Sequence, residues 1–190
     1  MRKILFNDKY GLTESVLKCR KTMTRRVIKD KKIIYSLQES EYYGGCFSEQ
    51  HFHCYKVGEI VAIAQSYSQI HSEYEIRSQG AHKIRRLYSD TAGWNNKMFV
   101  KADLMPHHIR ITNIKVERLQ DISDEDALNE GIITDFRLQS MSTKYYIPNQ
   151  PTVDFTEPRE AFAALIDKVS GKGTWESNPY VLAYTFELVK

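Results

Sequence analysis

Along this chain, apolar residues alternate with polar ones more often than they recur at helical spacing, and that balance sets the expected architecture. "ILFN" reads as a short buried strand. Asn7 is placed to cap a helix running to about Lys18, with Leu12 and Val16 on one face and Gly11 as a weak point. "TMTRRVI" alternates as a strand, and "VGEIVAIAQSY" is another, entered through a turn at Gly58. "IRITNIKVERLQ" is a long alternating strand with Ile109, Ile111, Asn113, Lys115 and Glu117 on one parity, and "PYVLAYTFELV" is a last strand. Two segments switch to helical spacing. "SDEDALNEG" has Ser123 as N-cap, acids in its first turn and Gly131 at its end. Thr156, Glu157 and Pro158 open the second, whose Phe162, Leu165, Ile166 and Val169 fall at i, i+3, i+4 and i+7 before Gly171.

Between these elements, residues 30–55 are rich in Tyr, Ser and Gly and read as a long, partly ordered loop. Residues 72–104 mix strand fragments, a basic run and a "GWNN" turn, and 134–155 reads as a further loop. No internal repeat or low-complexity stretch appears. Strands separated by loops or single short helices, without regular βαβ alternation, predict a mostly β fold with peripheral helices (α+β), a small antiparallel barrel. A sandwich is the structural alternative. A length of 190 residues predicts one domain over 1–190, with loop insertions near 30–55, 68–92 and 134–155.

Composition narrows the class without deciding it. No apolar run approaches the roughly 20 residues of a membrane helix, and no secretory leader pattern opens the chain. Three cysteines, an odd number, argue against a disulfide framework. The expectation is a cytoplasmic protein with no membrane partner. A net charge of +3 does not announce a nucleic-acid binder, but its distribution is uneven. Cations gather at Arg20 to Arg26, at Lys29, Lys31 and Lys32, and at Lys83, Arg85 and Arg86, while acids gather at Asp121 to Asp126. Local basic surface steers polyanions even when the total charge is small.

The densest chemistry lies in "CRKTMTRRV", residues 19–27. Residues three apart in one strand point to opposite faces, so Lys21 and Thr24 meet only if Lys21 sits on the turn before the strand. Thr24 and Arg26 share a parity, which lets Arg26 hold an anion near the Thr24 hydroxyl. Arg20, Arg25 and Arg26 favour the neutral form of Lys21. A lysine of lowered pKa is a general base and an adjacent threonine its nucleophile. The competing reading is a set of solvated cations. Glu130 is a second oddity, because a carboxylate in the last turn of a helix opposes the helix dipole.

"CRKTMTRRV" resembles the G-x-K-x-x-T-x-R signature of the ASCH family, a branch of the PUA-like superfamily, with Lys21, Thr24 and Arg26 at its defining positions. "ILFN", "VGEIVAIAQSY", "MPHHIRITNIKVERLQDISDEDALNEGI" and "GKGTWESNPYVLAYTFEL" are similar to the frame of phage-related ASCH-like proteins. The resemblance implies a PUA-like β-barrel whose cleft, beside the first helix, takes RNA, a nucleotide or a modified nucleoside. It also implies two enzymatic alternatives: an amidohydrolase acting on N4-acylated cytidine through a Lys, a Thr and a Glu, or a ribonuclease. On this chain those three residues fall on Lys21, Thr24 and Glu130. Arg20, Arg25, Arg26, Gln65 and His107 are the expected ligand contacts, and no cofactor is implied. Two departures stand out. The motif's leading glycine is Cys19, and Gln65 replaces a glutamate that the phage-type relatives carry. A prophage accessory protein with a vestigial cleft is a third reading.

Other features carry less. "CFSEQHFHC" gathers Cys46, His51, His53 and Cys54, but its spacing matches no common zinc site, so no metal is expected. Tyr42, Tyr43, Phe47, Phe52, Tyr55, Tyr145 and Tyr146 are positioned either to stack on bases or to pack back onto the core. Trp94 and Trp175 are expected to plug the barrel ends.

Overall fold

A computed structural model describes residues 1–43, 55–74, 79–137 and 141–189. The elements run β1 (Lys3–Ile4), α1 (Leu12–Leu17), β2 (Met23–Val27), α2 (Lys31–Tyr43), β3 (Ile60–Ile63), α3 (Tyr67–Glu73) and α4 (Gln79–Tyr88). They continue with β4 (His108–Arg118), α5 (Asp124–Asn129), β5 (Ile133–Arg137), β6 (Ser142–Ile147), β7 (Gln150–Phe155), α6 (Pro158–Ser170) and β8 (Tyr180–Val189). A five-stranded sheet has the order β1-β3-β4-β8-β2, and β5-β6-β7 form a separate three-stranded sheet. Only β1 and β3 pair in parallel; the other pairs are antiparallel. The fold is therefore α+β. Among the described residues no barrel closes, because β1 and β2 remain the two borders of the larger sheet.

The sheet curls. Arg26 on β2 donates from Nη2 to the carbonyl of Leu5, 2.5 Å away, just beyond β1. The two borders thus face each other across a gap. Inside the curl, Ile4, Phe6, Val61, Ile63, Ile109, Ile111, Ile114, Tyr184 and Phe186 form the main core with Phe162 and Leu165 of α6. A smaller core of Ala62, Ala64, Tyr67, Ile70, Ile84, Val100 and Met105 holds α3 and α4. Trp94 packs against that second core, and Trp175 meets Phe162 edge-on with ring centres 6.2 Å apart.

Four expectations change. The helix expected from Asn7 to Lys18 is broken: Asn7 caps a 3-10 turn, Asp8–Tyr10, and Gly11 at φ 60° separates it from α1. The segment expected as a loop after residue 30 begins with a helix. Asp30 accepts from the backbone N–H of Lys32 at 2.9 Å, and Ile33, Ile34 and Leu37 anchor α2 on the core. The segment expected as a loop at 134–155 is the second sheet. Its β6–β7 turn carries Pro148 then Asn149, the latter at φ 60°, a Pro-Asn pair suited to a type II turn. In 72–104, where strand fragments were expected, the described residues form α4 and short 3-10 turns.

Strand β4 also departs from simple alternation. A bulge between Ile111 and Asn113 shifts its register against β8, so Ile109, Ile111 and Ile114 are buried while Asn113 and Lys115 are exposed.

Cys19 adopts φ 55° where α1 turns into β2. Left-handed backbone costs a residue bearing Cβ about 1–2 kcal/mol, against about 0.5–1 kcal/mol of extra unfolded-state entropy for glycine. Cys19→Gly is expected to stabilise the protein by about 0.5–1 kcal/mol, a rise of about 1–4 °C in melting temperature at this chain length. A calorimetric scan showing a lower Tm for the variant contradicts this account of the turn.

Candidate functional site

The site begins with the tight turn that leaves α1. The N–H of Cys19 donates to Val16 O, and those of Arg20 and Lys21 both donate to Ser15 O, at 2.9, 2.8 and 3.0 Å. The chain then meets the end of α5: the Thr22 N–H donates to Asn129 O at 2.9 Å. Helix α5 is started by Ser123, whose hydroxyl accepts from the Asp126 N–H at 3.1 Å, and it is closed by Glu130 and Gly131. Gly131 has φ 101°, and a Cβ there would lie 3.3 Å from Lys21 Cβ. Glycine is needed both for the turn and for room beside the lysine.

These two turns press Lys21 against Glu130, and both are nearly fully buried, at 2% and 4% exposure. The Lys21 ammonium donates to the Glu130 carboxylate (Oε2) and, at 2.8 Å, to the Glu130 backbone carbonyl. This resolves the misplaced carboxylate. The helix end that should repel Glu130 carries a cation that satisfies both its side chain and its terminal carbonyl. Burial pushes the Lys21 pKa below the ordinary lysine value of 10.5; Glu130 opposes that shift, and Arg26 and Arg25 add to it. The sign matters. A base penalised as the cation costs stability at low pH, and the cost is withdrawn as pH rises past its folded pKa.

Arg25 sits beneath this pair with no exposed side-chain surface. Its Nε donates to Glu117 Oε1 at 2.8 Å, its Nη2 to Asp126 Oδ2 at 2.6 Å and its Nη1 to Glu130 Oε1 at 3.4 Å. Burial works against the Arg25 charge, but Glu130, Glu117 and Asp126 outweigh it, and its pKa is raised. The Phe162 ring of α6 lies 6.0 Å from its guanidinium.

A cleft of about 480 Å3 opens at this point, between the border strand β2, the Leu5–Asn7 segment and α6. One wall carries Lys21, Thr24, Arg26, Lys29 and Glu130; the other carries Phe162, Leu165, Ile166 and Val169. Because β2 is a border strand, side chains of both parities reach the gap. Its backbone reaches it as well. Thr22 O accepts from the Phe186 N–H and the Ile28 N–H donates to Tyr180 O, so the even-numbered residues bond to β8. The N–H groups of Arg25 and Val27 therefore point out from the border toward the cleft.

Of the residues singled out in the sequence, Lys21, Thr24, Arg25, Arg26 and Glu130 line this cleft. Arg25 is there as the hub of an ion network rather than as an open ligand contact. Arg20 is exposed on the turn, with its charge felt by Glu14, and does not line the cleft. Gln65 and His107 lie elsewhere. Gln65 donates to Glu73 Oε1, and His107 Nε2 sits 2.9 Å from Glu73 Oε2. The Cys46 to Cys54 cluster lies outside the described residues; among those described, no group of three His, Cys, Asp or Glu residues is arranged to hold a metal. No helix of the described chain is long and apolar enough to cross a membrane.

Sequence reasoning missed Glu117 and Asp126 as partners of Arg25, α6 as the apolar wall, and the main-chain donors of β2. The spacing of Ile109, Ile111 and Ile114 marks the bulge and is the one signal that separates Glu117 from simple alternation. Nothing local marks the others.

No family model matches the chain, and no curated protein matches it. A solved structure, protein EF3133 from Enterococcus faecalis V583 (family-model DUF984), is similar over 100% of this chain and 80% of its own, at 13% identity and TM-score 0.44. A likeness that slight carries nothing about function.

The network gives a stability prediction. Arg25→Met removes the cation shared by Glu117, Asp126 and Glu130, leaves buried Glu117 with only the exposed Lys115, and is expected to cost about 3–5 kcal/mol. Lys115 also pairs with Glu117, at 2.6 Å, but its side chain is 63% exposed. Lys115→Ala is expected to change stability by less than about 1 kcal/mol. Urea titration of the two variants tests the contrast; equal effects would remove Arg25 from the centre of the network.

Proposed function

We propose that the cleft binds a nucleoside unit of RNA or a free modified nucleoside, and that it hydrolyses an amide carried on the base, as in an N4-acylated cytidine. The carrying observation is the buried Lys21–Glu130 pair lining the same cleft as Thr24. A buried lysine of lowered pKa at a cavity wall is characteristic of a reactive site. The resemblance of residues 19–27 to the ASCH motif, and of the frame to a PUA-like barrel, supports the same ligand class. The curled but open sheet is compatible with that frame. The apolar face of α6 suits a planar base, and the cationic rim at Arg26 and Lys29 suits a phosphate or a ribose hydroxyl.

The chemistry balances on this chain's own groups. Lys21, as the neutral amine, takes the proton of the Thr24 hydroxyl while Thr24 Oγ attacks the amide carbon. The oxyanion that forms is held by the outward N–H groups of β2. Lys21 returns the proton to the departing exocyclic nitrogen, and the acyl group is left on Thr24. Water then gives a proton to Lys21 and hydroxide to the ester carbon. As the tetrahedral adduct collapses to a carboxylic acid, Lys21 returns that proton to the departing Thr24 Oγ and both residues are restored. Glu130 positions the lysine and exchanges its proton. The pair can reach the neutral amine without expelling a net charge from the cleft.

A second reading follows from the ammonium's two bonds to Glu130: a binding protein in which the pair only braces the turn. Turnover separates the two. With N4-acetylcytidine as probe, Thr24→Val and Lys21→Ala are each expected to lower kcat by at least 100-fold. Arg26→Ala is expected to raise KM with little change in kcat. The rate is expected to climb with pH through an apparent pKa below 10.5, because the active amine form appears earlier than in an ordinary lysine. Full activity in both Thr24→Val and Lys21→Ala leaves only the binding reading.

A further inference from the structure

Arg26, Lys29 and Leu5 line the main cleft on one side and a second cavity on the other. This second cavity, of about 450 Å3, has walls of Ile28, Ile33, Leu182 and Tyr184, with Tyr55 and Arg2 at its edge. The two volumes are nearly equal, and each combines an apolar interior with cations. The guanidinium carbon of Arg2 lies 4.4 Å over the Tyr55 ring, and that ring meets Tyr184 edge-on at 5.5 Å between centres. Tyr55 is held in place by donating to Lys3 O at 2.8 Å. Arg2 also pairs with Glu59 Oε2 at 3.3 Å, which fixes the guanidinium beside the aromatic wall of the cavity. Asp30 is the acidic residue among the lining groups, against Arg2, Arg26 and Lys29.

From this arrangement we infer that the ligand is a single-stranded oligonucleotide spanning both cavities. The reacting nucleoside occupies the main cleft, the phosphodiester crosses the divide at Arg26 and Lys29, and the neighbouring base enters the second cavity against Tyr55 and Arg2. The inference rests on the nucleoside reading of the main cleft. It adds that a free nucleoside fills only half of the binding surface. The partition is what carries it. The residues common to the two cavities are Leu5 and two cations, Arg26 and Lys29, and a polymer with one anion between consecutive bases fits that order of groups.

The test compares cytidine with the trinucleotides CpCpU in ribose and deoxyribose form, by calorimetric binding, and N4-acetylcytidine free and within a trinucleotide, by turnover. The ribose trinucleotide is expected to bind at least tenfold more tightly than the nucleoside, with an affinity that falls as salt rises. The deoxyribose form shows whether the strand recognised is RNA or DNA. Tyr55→Ala is expected to remove the trinucleotide's advantage while cytidine binding stays unchanged. Arg2→Ala, at a half-exposed side chain, reads the same loss if the tyrosine variant fails to fold. Equal affinity for nucleoside and trinucleotide overturns the inference and leaves the nucleoside reading standing. A tenfold advantage without hydrolysis supports the inference and sinks the hydrolase reading. Failure of both probes to bind overturns both.

Discussion

The contact on which the site depends is the burial of Lys21 against Glu130. Two turns make it, one at the exit of α1 and one at the exit of α5, and the bond from the Thr22 N–H to Asn129 O joins them. Taking an ammonium and a carboxylate out of water is expensive, and their mutual attraction seldom repays it alone. Here the cost is spread over a larger set: Arg25, Glu117 and Asp126 complete a network in which each buried charge meets an opposite one. The arrangement is poor as a source of stability and good as a way of keeping a titratable amine out of bulk solvent.

Position at a sheet border does the rest. A lysine buried in the middle of a sheet has neighbours on both sides and no access to a ligand. Strand β2 has β8 on one side and the cleft on the other, so buried chemistry and open space are one residue apart. Helix α6 closes the far wall with the residues that anchor it to the core. The same apolar stripe therefore stabilises the helix and shapes the cleft.

Much of this was legible in the chain, for identifiable reasons. Strands β2 and β4 announce themselves by alternation, which in β4 holds as far as its bulge, β3 and β8 by apolar runs of strand length, and α5 and α6 by caps and helical spacing. Lys21, Thr24 and Glu130 were recoverable because motif spacing and an unfavourable helix-end charge are local signals. Helix α2 was not, since Ile33, Ile34 and Leu37 lie within a run of Lys, Tyr, Ser and Glu that dilutes the pattern. The β6–β7 hairpin was masked in the same way, although Pro148-Asn149 marks its turn. Gln65 was expected in the cleft through the family resemblance, and His107 through its place at the start of the long strand. Their true neighbour, Glu73, is supplied by α3, and only the packing of that helix decides it.

The exposed border of β2 has one more effect. Strand borders left unpaired invite a second copy to extend the sheet, the usual route to aggregation. In this molecule Arg26 stands on that border and Lys29 just past its end, and charged side chains at a border disfavour such pairing. The two cations that rim the cleft thus also guard the strand border against extension of the sheet.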